Sequence, residues 1–142
     1  MSDYQKDFYS WTREQAELLR SGRFDELDIV NLIEEIETLG RSEKRELENR
    51  LTVLLVYLLK WQYQSSRRGQ NWRLTIQEQR LELFDVLNDN PGLKSQLQAL
   101  LTHSYRKAKI RATKETGLDK DDFPSTCPWE FARLMDEAFF PD

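Results

Sequence analysis

Two groups of side chains in this 142-residue chain have types and spacings suited to chemistry. The first is Glu34, Glu35, Glu37 and Arg41. Glu34 and Glu37 stand three apart and so share one face of a helix. Carboxylates placed that way can hold a hard cation through their oxygens. Carboxylate metal bundles, however, add Glu-x-x-His pairs, and the chain has none. The structural alternative is that Glu37–Arg41 and Glu46–Arg50 form i, i+4 ion pairs on a solvated face, each contributing about 0.2–0.5 kcal/mol.

The second group is Lys60, Trp61, Arg67, Arg68, Trp72, Arg73 and Arg80. Basic groups interleaved with indoles suit a nucleic-acid strand, with phosphates on the cations and bases stacked on the rings. Free amides at a helix start after Asn71 would add an anion site. The structural alternative is that Trp61 and Trp72 bracket a loop and pack on each other. The arginines then bond carbonyls at the end of the preceding helix.

Other chemistry has little support. His103 and Cys127 are each single of their kind, so one chain cannot build a His- or Cys-based metal site, and no metal or cofactor is expected. An intrachain disulfide is impossible, which points to a reducing, cytoplasmic setting. The chain contains no Gly-x-Ser-x-Gly, phosphate loop or dinucleotide fingerprint. Ser104 and His103 are neighbours that point apart on a helix. Cys127 before Pro128 is a candidate N-cap, where a helix terminus lowers a thiol pKa. Taken together, these residues lean away from an enzyme.

The element that must position both groups is one long helix over about 28–61. Ile29, Ile33, Ile36, Gly40, Glu43, Leu47, Leu51, Leu54, Leu58 and Trp61 recur every three or four residues, the mark of one helix with one buried stripe. Gly40 costs about 1 kcal/mol against Ala, less than the flanking apolar residues contribute. About 34 residues at about 1.5 Å each make a rod of about 50 Å, longer than the ~37 Å breadth of a compact domain of this size. The expectation is an elongated fold, or a projecting end covered by a second copy in a homodimer.

Around that rod, Tyr4–Leu19 reads as a first helix ended by Ser21-Gly22, with Asp28 capping the long one and the two antiparallel. Asn71 reads as the cap of a third helix with the stripe Trp72, Ile76, Leu83, Phe84 and Leu87. Asn90-Pro91 opens a fourth that ends at Gly117, with Leu118 folding back. Cys127-Pro128 begins a short last helix, and Phe139-Phe140 packs on the core. No segment alternates at period two. The expected class is all-α: a single domain over 1–142, an elongated bundle of about five helices.

Charge is uneven. Residues 1–59 carry 13 acidic and 8 basic side chains, 60–114 carry 4 and 11, and 115–142 carry 8 and 2. A basic middle can attract nucleic acid or an acidic partner, or be cancelled by the acidic segments inside the fold. No apolar run reaches the ~18 residues of a membrane span, and the start lacks a secretory signal. No membrane association is expected.

Several strings resemble one family. They include Asp7-Phe8-Tyr9-Ser10-Trp11, Glu34-Glu35-Ile36-Glu37-Thr38-Leu39-Gly40-Arg41, Leu58-Leu59-Lys60-Trp61-Gln62-Tyr63-Gln64, Trp72-Arg73-Leu74-Thr75-Ile76, Glu115-Thr116-Gly117-Leu118 and Phe123-Pro124-Ser125-Thr126-Cys127-Pro128. Jointly and almost end to end, they resemble the bacterial family known as domain of unknown function 29. The resemblance implies a small all-helical protein and no particular activity. Members commonly carry His where this chain has Tyr57, and Pro near Ser65. A phenol titrates near ~10 and is a poor general base at neutral pH, so a role built on imidazole there could not operate.

Overall fold

Residues 29–63 contain no proline, and their apolar positions hold a helical period throughout. They form one uninterrupted α-helix that passes straight through Gly40. The computed structural model describes residues 2–142. Its α-helices are α1 (Phe8–Arg20), α2 (Ile29–Tyr63), α3 (Gln70–Asp89), α4 (Leu97–Thr116) and α5 (Phe131–Leu134), with short 3-10 turns between them. No strand occurs among the described residues, so the fold is all-α. Among the described residues, no helix is long and apolar enough to cross a membrane. Packing divides the chain into two compact units, Met1–Ser42 and Glu43–Asp142.

In the N-terminal unit, Asp7 caps α1 by accepting from the Ser10 amide. Gly22, at φ 75°, lets the chain leave that helix in the left-handed region. Tyr4 lies opposite Glu35 and Trp11 opposite Asp28, so α1 and the start of α2 run antiparallel. Trp11, Gln15 and Leu18 are buried between them. One expectation fails here. Ile29, Ile33 and Ile36, the first part of the continuous stripe, are exposed, and so are their neighbours Val30 and Leu39. The reason is rotational: α1 packs on the Asp28–Glu35 side of α2, about 120° around the helix from the isoleucines.

The C-terminal unit holds the main apolar core. From Leu51 to Trp61 nearly every α2 side chain is buried, as suits a helix enclosed on all sides. Ile76, Leu83 and Leu87 of α3, Leu100, Tyr105 and Ala108 of α4, and Leu134 of α5 pack around it. Gly117, at φ 76°, ends α4, and Leu118 packs back on the core. Phe139 and Phe140 are packed against that core as well.

Four local expectations are corrected. Helix α3 starts at Gln70 with Gly69 at its cap, while the Asn71 carbonyl accepts from Thr75 Oγ1 inside the first turn. Pro91 opens a 3-10 turn, Pro91–Gln96, that leads into α4. Cys127-Pro128 precedes α5 by several residues, and Glu130 is the residue at its cap. Phe84, placed in the α3 stripe by its spacing, faces solvent; Gln79 and Arg80 are buried instead.

Candidate functional site

The first group of candidate residues lies in the N-terminal unit, on about two turns of α2. Arg41 Nη2 meets Glu34 Oε1 at 3.2 Å and Thr38 Oγ1 at 2.9 Å, while Nη1 stands 3.9 Å from Glu37. All three charged side chains are more than half exposed, so these contacts are screened and individually weak. Glu35 faces another way and accepts from the Tyr4 hydroxyl. That carboxylate bond, reinforced by burial and the charges of Glu35, Glu34 and Asp28, pushes the Tyr4 phenol up to about 12. Glu34 and Glu37 therefore share one arginine while Glu35 holds Tyr4, in the turn that precedes α1. Among the described residues, no three His, Cys, Asp or Glu side chains converge in a way that could hold a metal ion.

The second group lies in the C-terminal unit and separates into two cation–ring assemblies. Lys60 is almost buried, with its ammonium 4.6 Å from the Tyr57 ring and 4.9 Å from the Trp72 ring, and those rings meet edge to face. Tyr57, where the resemblance leads one to expect histidine, thus sits directly under a cation. In the other assembly Trp61 packs on Phe140 with centroids 4.9 Å apart, rather than on Trp72. Arg68 and Arg73 lie over Trp61, and Arg73 and Arg80 over Phe140.

Two of these arginines are committed to main-chain carbonyls. Arg68 Nε donates to Trp61 O at 2.6 Å, at the end of α2, where carbonyls lack helical partners. Arg80 donates to Leu134 O at 2.7 Å, Phe139 O at 2.6 Å and Glu137 O at 3.4 Å. Burial lowers its pKa, yet a guanidinium stays charged at any ordinary pH. Arg67 and Arg73 keep exposed side chains.

A feature that spacing did not reveal lies along α4. A depression of about 570 Å3 is bounded by Thr102, Tyr105, Arg106, Ser125, Cys127 and Trp129, among others. The Tyr105 hydroxyl donates to Pro124 O at 2.6 Å, which ties the 123–130 segment across α4, and within that segment the Cys127 thiol donates to Trp129 O at 3.3 Å. Burial raises the pKa of both groups, so the thiol of Cys127 is not an activated nucleophile. The only sequence signal for this feature was the string Phe123–Pro128, which carries no charge pattern.

A family model matches residues 4–140. The chain belongs to that family, described as Domain of unknown function DUF29. The DUF29 match spans both units and every candidate residue named above. No curated protein and no solved structure shows significant similarity to the chain. Membership in DUF29 assigns no activity, so the functional reading rests on this chain's own surfaces.

Proposed function

We propose that this DUF29 chain is a helical interaction protein that works as a homodimer, with the isoleucine face of α2 meeting the same face of a second copy. The observation that carries this reading is the exposure of Ile29, Val30, Ile33, Ile36 and Leu39, with Val30 78% and Leu39 68% exposed. At about 100 Å2 apiece these residues leave on the order of 500 Å2 of apolar surface in water, the size of the largest patch on a typical monomer, which is often a functional surface. Glu34, Glu37 and Arg41 supply a polar rim, and the patch with its rim approaches the ~800 Å2 per partner of a standard interface. A stripe along one helix is self-complementary when two copies cross about a twofold axis, as an isologous contact requires. A single cysteine fits a cytoplasmic setting for such a protein.

Sedimentation velocity at micromolar concentration tests the reading. The wild-type chain is expected to sediment as a dimer, and the double variant Ile33→Glu/Ile36→Glu as a folded monomer with the same helix content by circular dichroism. A wild-type chain that stays monomeric overturns it.

A further inference from the structure

The depression beside Cys127 has a second, smaller neighbour. The smaller one, about 330 Å3, is lined by Arg106, Lys109, Ile110, Lys120 and Ser125. Arg106 and Ser125 also line the larger depression, so the two adjoin along one edge of α4. We propose that together they bind a small phosphate monoester carrying a ring. Its phosphate would lie among Arg106, Lys109, Lys120 and Ser125, and its organic part against Tyr105 and Trp129.

Charge is the first argument. Three cations and no acid line the smaller depression, and none of the three makes an ion pair among the described residues. The adjacent Lys107, by contrast, is spent on Glu48 at 2.5 Å. Nearby Asp119 and Asp122 accept from backbone amides of their own turn, Asp119 Oδ1 from the Asp121 amide and Asp122 Oδ2 from the Asp119 amide, and neither pairs with these cations among the described residues. Like charges held around one hollow repel, and an anion between them removes that cost. Arg106 offers a planar fork that matches phosphate oxygens, and the exposed Ser125 adds a hydroxyl donor.

Shape is the second argument. The larger depression falls in the volume range of small-ligand sites. Its walls are held before any ligand arrives, because the Tyr105 hydroxyl is already bonded to Pro124 O and the Cys127 thiol to Trp129 O within the 123–130 segment. A preformed wall loses little freedom on binding. Glu130 is the one acid of the larger depression, which favours a neutral organic part there over a second phosphate.

Calorimetry at constant ionic strength with adenosine, uridine and glucose monophosphates, together with inorganic phosphate, adenosine and a single-stranded oligonucleotide, tests this site. At least one nucleoside monophosphate is expected to bind about tenfold or more tighter than inorganic phosphate or adenosine, since both halves of the ligand are held. Arg106 is exposed and Lys109 half-buried, with its ammonium 5.9 Å from the Tyr105 ring; neither side chain makes a hydrogen bond or ion pair among the described residues, so Arg106→Gln/Lys109→Gln should nearly keep the melting temperature and lose that binding. Thr102→Trp, which fills the larger depression from an exposed position, should block the nucleotide and spare phosphate. The proposal is overturned if adenosine binds as well as its monophosphate, if no monophosphate shows saturable binding, or if only the oligonucleotide binds.

Discussion

The indole N–H of Trp11 donates to Asp28 Oδ2 at 2.9 Å, joining the buried face of α1 to the residue that opens α2. Asn31 Nδ2 donates to the same oxygen at 2.8 Å, and the Asp28 amide donates to Gln15 Oε1 at 2.8 Å. Asp28 therefore satisfies the start of α2 with side chains from both helices, where backbone amides would otherwise lack partners. This single carboxylate sets the register of the N-terminal hairpin.

The hairpin should consequently be acid-sensitive. Hydrogen bonds from Asn31 and then Trp11 hold the Asp28 carboxyl below its ordinary value. A carboxyl depressed by folding contributes stability above the unfolded pKa of about 3.9 and loses it as pH falls through the lower, folded value. Following the Trp11 indole N–H by NMR should show its shift moving toward the free value as pH drops below about 4. Asp28→Asn should largely remove that transition. An indole resonance that ignores acid would contradict the argument.

Arg80 is expected to anchor the C-terminal segment. Its guanidinium serves three carbonyls between Leu134 and Phe139 while only 3% exposed. Arg80→Ala leaves those acceptors without a donor and should cost about 3 kcal/mol in urea unfolding. Arg80→Lys should recover little, because a point ammonium cannot reproduce a planar fork. A loss under about 1 kcal/mol for the alanine variant would show that water replaces the guanidinium readily.

Cys127 should be slow to react. Burial pushes its thiol up, and a backbone hydrogen bond at Trp129 only partly opposes that. The thiolate is the reactive species, so a raised pKa means less of it at any pH near neutrality. Iodoacetamide at mildly alkaline pH should alkylate the folded chain about tenfold or more slowly than the urea-unfolded chain. Equal rates would mean the thiol is open to solvent.

Two glycine-to-alanine substitutions should act in opposite directions. Gly117 sits at φ 76° with open space around it, so Gly117→Ala meets no clash and only the backbone penalty. It should lower stability by about 1 kcal/mol. Gly40 is helical, and a Cβ there also meets nothing. Gly40→Ala should raise stability by up to about 1 kcal/mol. Thermal melts of the two variants should therefore shift to opposite sides of the wild type.

What was legible in the residues follows from locality. A helical period, the absence of proline and the cost of one glycine are all decided within a few residues, so the continuous α2, the stop at Gly117 and the antiparallel hairpin could be read directly. Periodicity shows that a helix has an apolar face, but the packing partner decides whether that face is covered. Leu47 and the apolar residues from Leu51 through Trp61 pack with α3, α4 and α5, whereas Ile29, Ile33 and Ile36 are exposed, because α1 lies against another side of α2. Arg80 looked like part of a basic surface because its acceptors lie more than fifty residues downstream. The hollow along α4 escaped notice for the same reason. It exists only where the 123–130 segment is drawn across that helix by Tyr105, and contacts of that range are settled by tertiary packing alone.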